Sequence, residues 1–204
     1  MIGWLDCDIV LPKKKGVSRY HAALTFDKEN HLVVRDLGSV CGTRVTYDGE
    51  VAERGFSIDW VVGGVEFVKD KTPILEFIGE LQFRLVVPPQ DIESPQYIDN
   101  VTRFRQGTAD AADLIERTPS SKPSGPIRWT KKLGEGVFGI VTHIFNVTTG
   151  AEYALKEPKD KFRGGYIVKD WKKEADIMSC IQHVSMDPAW PHHFGWPGAP
   201  RANN

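Results

Sequence analysis

Disulfide chemistry is the first thing this sequence lacks. Its 204 residues contain three cysteines, Cys7, Cys41 and Cys180, an odd number with no CxxC pair. That excludes a disulfide framework and points to a reducing compartment. Cys180 with His183, His192 and His193 fits no compact zinc spacing, so no metal site is expected. An excess of one charge is also missing: 26 basic against 27 acidic side chains leave a net charge of -1. Neither nucleic acid nor a membrane surface is implied as a partner. No apolar run approaches the roughly 18 residues of a spanning helix. The start, Met1-Ile2-Gly3-Trp4-Leu5-Asp6, has no basic stretch leading into an apolar one, so no signal peptide is expected. Nucleus or cytoplasm is the expected location. Hydrophobic residues make up 41% of the chain, enough to build a core in one or two domains.

What is present changes character along the chain. Residues 1–88 read as short strands between turns. Ala23–Phe26 and Leu32–Val34 favour strands on either side of the polar turn Asp27-Lys28-Glu29-Asn30. Leu81, Phe83, Leu85 and Val87 alternate at period two, which marks a strand with one buried face. Gly38, Gly42, Gly49, Gly63 and Gly64 punctuate the block at the spacing of an all-β sandwich. Residues 89–126 carry Pro88-Pro89, Ser94-Pro95, Thr118-Pro119 and a Ser/Pro-rich run to Pro126, the chemistry of a flexible linker. A short helix fits around Ala109–Glu116, and Thr118 and Ser94 are candidate acceptors for a proline-directed kinase. From Ile127 strands return at Arg128–Leu133, Ile140–Val147 and Glu152–Leu155, then an amphipathic helix over Ile167–Gln182. Residues 184–204 follow neither period and read as an irregular tail.

Three blocks in the first segment belong together: Cys7-Asp8-Ile9-Val10-Leu11-Pro12, Gly16-Val17-Ser18-Arg19-Tyr20-His21, and Asp36-Leu37-Gly38-Ser39-Val40-Cys41-Gly42-Thr43. In order and spacing they resemble the forkhead-associated (FHA) family over residues 1–88. The resemblance implies a β-sandwich whose loops bind phosphothreonine peptides, with phosphothreonine-containing proteins as partners. It assigns Ser18 and Arg19 to phosphopeptide binding, with His21, Gly42 and Thr43 structural at the site. Charged hydrogen bonds dominate such recognition, so a hydroxyl and a cation on one loop are the fitting pair. Several features depart from the family: the first segment is one residue short of the usual spacing, and Val40 stands where a hydroxyl often helps. Gly3-Trp4 stands where the family has Gly-Arg, and Cys41-Gly42-Thr43 where it has Asn-Gly-Thr. Losing two contacts of this kind costs about 3–6 kcal/mol, or roughly two to four decades of affinity. The chain also starts almost on the Gly-Arg position, so a sandwich short of one edge strand, or a start further upstream, is expected.

In the later segment, Leu133-Gly134-Glu135-Gly136-Val137-Phe138-Gly139-Ile140-Val141 is a full GxGxxGxV, and Tyr153-Ala154-Leu155-Lys156 follows on a later strand. Glu174 lies 18 residues beyond Lys156 on the amphipathic helix. A dinucleotide-binding reading needs a helix directly after the glycines, and Ile140-Val141-Thr142-His143-Ile144-Phe145 favours a strand instead. The order resembles the N-terminal lobe of a protein kinase. That implies ATP as cofactor, with magnesium in a full-length kinase. The ATP-binding positions are then Leu133, Gly134, Gly136, Gly139, Val141, Ala154, Lys156 and Glu174, the last pairing with Lys156. No His-Arg-Asp loop and no Asp-Phe-Gly follows, so no complete catalytic set is expected; Arg35-Asp36-Leu37 only mimics part of one.

The expected architecture is therefore an α+β multidomain chain: an FHA-like β-sandwich followed by an incomplete kinase N-lobe of β-strands plus one helix. The boundaries are 1–88 for the FHA domain, 89–126 for the linker, 127–183 for the kinase piece and 184–204 for the tail. FHA followed by kinase resembles the checkpoint-kinase type of serine/threonine kinases, where the FHA domain recruits the kinase to phosphorylated partners. The leading expectation is the N-terminal portion of such a kinase, not catalytically competent as written. A non-catalytic FHA interaction protein and a nucleotide-binding fragment are the alternatives. An apolar face of the kinase piece is expected to lie exposed where a second lobe would pack.

Overall fold

The computed structural model describes residues 1–51, 53–109, 128–136, 139–157 and Lys173. The expected helix over Ile167–Gln182, the tail and Glu174 fall outside them. Residues Met1–Glu157 form one compact unit. Its strands begin with β1 (Ile2–Gly3), β2 (Ile9–Val10), β3 (Ala22–Phe26) and β4 (Leu32–Asp36). Then come β5 (Arg44–Tyr47), β6 (Glu50–Val51), β7 (Asp59–Gly63), β8 (Ile74–Ile78) and β9 (Leu81–Arg84). An α-helix, α1 (Pro95–Gly107), precedes β10 (Arg128–Glu135), β11 (Ile140–Asn146) and β12 (Glu152–Glu157).

The turns follow from their residues. Asn30 adopts a positive φ of 67° to close the β3–β4 hairpin, a conformation asparagine tolerates. Asp48-Gly49, at φ 52° and 77°, makes the two-residue turn between β5 and β6 that right-twisted strands prefer. Long-range pairing then builds a five-stranded sheet in the order β2-β1-β3-β4-β7 and a four-stranded sheet in the order β6-β5-β8-β9. Val33, Val34, Trp60 and Val61 of the first sheet share one apolar cluster with Val45, Tyr47, Leu75 and Phe77 of the second. The result is a β-sandwich. Tyr47 joins its layers directly: its ring is buried on β5, and its hydroxyl donates to the Val61 carbonyl on β7 at 2.8 Å. Burial drives the Tyr47 phenol far above its ordinary pKa, so it stays a donor at any accessible pH.

The segment expected as a linker contains α1, packed against the sandwich. Ser94 caps it and Pro95 occupies its first turn, where a missing N–H costs nothing. Tyr97, Val101 and Phe104 fall on one helical face. Val101 is buried, while Tyr97 and Phe104 meet the Phe26 ring edge-on at 6.1 and 5.3 Å. The Tyr97 hydroxyl also donates to the Asn30 carbonyl at 2.9 Å. Ser94-Pro95 is thus a helix start. The helix expected around Ala109–Glu116 lies almost wholly outside the described residues.

The third sheet, β10-β11-β12, is an antiparallel meander. Its apolar face does not stand wholly exposed, because one end of that face enters the sandwich core. Phe145 stacks on Phe67 with ring centroids 3.8 Å apart, and Trp129 meets the same ring at 4.9 Å. Tyr47 closes the group against Phe145 at 5.6 Å. Val147 accepts a hydrogen bond from the Val61 N–H at 2.7 Å, capping the edge of β7. An uncovered edge strand is a liability that this contact removes. Residues 128–157 therefore share a core with residues 1–88, whatever their separate functions. Phe145→Ala should remove about 3–5 kcal/mol and lower amide-exchange protection in β5 and β7 as well as β11. Unchanged protection in β5 and β7 would show that the sandwich does not depend on this sheet.

Candidate functional site

One end of the sandwich brings together the β1–β2, β2–β3 and β4–β5 loops. The close approach begins at Gly3, where a Cβ would lie 2.1 Å from the Arg19 carbonyl oxygen. Only glycine lets that strand end pass. The same carbonyl accepts hydrogen bonds from the Trp4 and Leu5 N–H groups at 3.1 and 3.4 Å. Trp4 is thereby pinned beside the Ser18–Arg19 segment.

His21 holds the second junction. Its ring is fully buried against Phe77. Nδ1 accepts from the Ser18 N–H at 3.1 Å, and Nε2 faces the Gly42 carbonyl oxygen at 3.2 Å. An N–H facing Nδ1 and a carbonyl facing Nε2 require the neutral ring protonated on Nε2. Protonating Nδ1 would set two donors against each other. Burial accordingly lowers the pKa of His21 and Arg54 reinforces this, against the opposing pull of the Gly42 hydrogen bond and Asp36.

Asp36 organises the third loop. Its buried carboxylate accepts from the N–H groups of Gly38, Ser39 and Ser57 at 3.0, 3.1 and 2.8 Å. The hydroxyls of Ser39 and Thr43 donate to its other oxygen at 2.6 Å each. Thr43 also exchanges two backbone bonds with Gly55, both 2.8 Å. Gly42 sits at φ 69°, with room for no Cβ against the Gly55 carbonyl at 2.6 Å. Its own carbonyl accepts from Arg54 at 3.0 Å as well as facing His21. Arg54 continues to the Phe77 carbonyl at 2.7 Å and to the buried Glu76 carboxylate, which Arg44 and Gln82 also reach. The neighbouring Arg35 grips Asp59 through two bonds at 2.7 and 2.8 Å. Arg35-Asp36 is thus framework of the sandwich.

Ser18 lies where these supports meet. Its N–H is held by His21, and its hydroxyl oxygen accepts from the Val40 N–H at 2.9 Å. The hydroxyl so fixed still has its own proton to donate. Arg19, next in sequence, is exposed. Ser18, Arg19, His21, Gly42 and Thr43 therefore come together at one end of the sandwich. Asp36 and Arg54, which hold the loops of this end, are not among the residues expected at the site. Asp36 was detectable as the acceptor in an Asp-Leu-Gly-Ser turn, but nothing local marks Arg54.

The second group of candidates lies on the third sheet. Val141 pairs directly with Lys156, and His143 pairs with Ala154. Paired residues of adjacent strands point to one face, so Val141, Ala154 and Lys156 share a face with Trp129 and Phe145. Gly134 pairs with Val141 at the strand end, and the Gly136 N–H bonds the Gly139 carbonyl at 2.9 Å across the loop. A Cβ on Gly134 or Gly136 would meet nothing within 4 Å. Neither glycine is explained by packing among the described residues. Leu133 sits at the bulge, 60% exposed.

One comparison with known proteins bears directly on the first group. Residues 2–54 match the FHA domain family. An FHA domain therefore occupies the N-terminal part of the chain. Mitogen-activated protein kinase kinase kinase 3 from Mus musculus and from Homo sapiens are each 32% identical over 95 residues, 43% of this chain. The chain spans about 15% of the length of these curated relatives. The crystal structure of Rad53 1-466 in complex with AMP-PNP aligns with 17% identity and a TM-score of 0.37, over 89% of this chain and 39% of that one.

His21 makes the stability of this end depend on pH. Its folded pKa is lowered, so the unfolded chain takes up the proton first as pH falls below about 6.5. Stability should then drop, by up to about 1.4 kcal/mol per pH unit, until the folded pKa is passed. Urea midpoints measured from pH 7.5 to 5 should show this slope in the wild type and a shallower one in His21→Gln. Equal slopes would mean that His21 does not carry the effect.

Proposed function

We propose that the FHA domain of this chain recognises phosphothreonine in a partner protein through the Ser18 hydroxyl and the Arg19 guanidinium. FHA domains bind phosphothreonine-containing proteins, and residues 2–54 match that family. The observation that carries the proposal is the double tie of Ser18, to His21 through its N–H and to Val40 through its hydroxyl. A donor fixed before the ligand arrives loses little freedom on binding. Arg19 would add a planar cation whose paired N–H groups suit phosphate oxygens. The wider reading is the N-terminal portion of an FHA-domain serine/threonine kinase acting in the nucleus or cytoplasm.

A second activity of the same chain, nucleotide binding, is favoured by the shared face of Val141, Ala154 and Lys156 and by the unexplained glycines. In this reading Gly134, Gly136 and Gly139 let backbone amides approach the phosphates of ATP, and Lys156 neutralises them. Val141 and Ala154 supply apolar contact to the base, Leu133 covers it, and Glu174 orients Lys156. The sequence contains no His-Arg-Asp or Asp-Phe-Gly element. Phosphoryl transfer by this sequence alone is therefore no part of the proposal.

Ser18→Ala and Arg19→Ala should each weaken binding of a phosphothreonine peptide pool by about tenfold or more, the worth of one hydrogen bond to a charged group. Wild-type affinity in both variants would remove the assignment. For the second activity, ATP with magnesium should raise the melting temperature of the wild type and leave Lys156→Met unmoved. A wild type that ATP does not stabilise would exclude it.

A further inference from the structure

Trp4 occupies a position where the FHA family carries an arginine, yet the site around it is not short of cations. The Lys13 ammonium lies 4.6 Å from the centroid of the Trp4 indole, and the Arg19 guanidinium lies 5.8 Å from the same centroid. Both side chains are exposed, and neither pairs with a carboxylate among the described residues. Their neighbour Lys14 behaves differently, being engaged by Glu80. Trp4 itself is anchored: it packs against the core, and its N–H bonds the Arg19 carbonyl. Two like charges held on one fixed ring repel each other, with no ion pair to either among the described residues. An anion placed beside the ring would relieve that repulsion and would adjoin Ser18, the residue next to Arg19.

We propose that Lys13, seated over Trp4, is a phosphate-binding residue of this site and acts with Arg19 as its second cation. The inference rests on the phosphothreonine reading above and adds a residue to it. The indole works as a positioning residue. Its π face attracts the ammonium and restricts a side chain that would otherwise sample many rotamers. The charge absent from the strand end is thereby supplied from the β2–β3 loop, across an aromatic ring. A dianionic phosphate, carrying close to two charges near neutral pH, matches two converging cations better than a carboxylate does.

The test uses the full chain and a degenerate peptide pool with central phosphothreonine, alongside the same pool unphosphorylated. Lys13→Ala should weaken binding to the phosphorylated pool by about tenfold or more. Lys13→Arg should restore it, and Lys15→Ala should stay near wild type. Because Lys13 is exposed, the urea midpoint of Lys13→Ala should match wild type, which separates lost binding from lost fold. Wild-type binding that Lys13→Ala leaves unchanged would overturn the role of Lys13 while the phosphothreonine reading stood. A wild type that does not distinguish the two pools would overturn both.

Discussion

Asp36 carries a negative charge into the interior at 2% exposure, and an unpaired charge there is prohibitively costly. It is tolerated because three N–H groups and two hydroxyls converge on it. Those five donors come from the turn at Gly38–Ser39, from Thr43 and from Ser57, so satisfying one carboxylate fixes the β4–β5 loop against its neighbour. The loop in turn presents the Gly42 carbonyl to His21 and the Val40 N–H to Ser18. The Ser18 hydroxyl is thus positioned through a chain of hydrogen bonds that starts at a residue with no ligand role of its own. Such a network is strong when complete and vulnerable at every member.

The opposite dependence runs through apolar contacts. Phe67 is shared between the sandwich and the third sheet, stacked on Phe145 and edged by Tyr47 and Trp129. Large rings dominate core energetics, and their edge-to-face pairs add about 0.5–1.5 kcal/mol each. The sheet bearing Val141, Ala154 and Lys156 is therefore held at one end by the sandwich, on the face that those three residues occupy. The sandwich and the third sheet thus share one apolar core. Lys71, over the Phe67 ring at 4.0 Å, extends the same cluster to the surface.

The departures from the family pattern take on a different meaning once the loops are in place. In sequence, Trp4 and Cys41 read only as two lost contacts. In the fold, Trp4 is a platform on which Lys13 and Arg19 converge, and Cys41 lies beside Gly16, where an added Cβ would come within 2.8 Å of its Sγ. Substituting a cation by an aromatic ring can retain charge at a site if another loop delivers a cation to that ring.

The alternation at Leu81, Phe83, Leu85 and Val87 overstates its strand, which ends at Arg84 with Phe83 37% exposed. The strands at Ala22–Phe26 and Leu32–Asp36, the turn at Asn30 and the Ser18 and His21 loop were legible in the residues themselves. Each depends on local geometry: strand propensity, a positive φ, a short motif. The start of α1 carries a sequence signal of its own, Ser94-Pro95 followed by Tyr97, Val101 and Phe104, but proline beside serine is equally the chemistry of a linker. What the residues could not disclose was anything set by distant partners. Arg54 reaches Gly42, Phe77 and Glu76 from well apart in sequence. Phe145 finds Phe67 across 78 positions, and Lys13 finds Trp4 across a loop. Local pattern determines which segments become strands and which residue types flank a turn. Which side chains then share a ring or a carboxylate is decided only when burial brings the segments together.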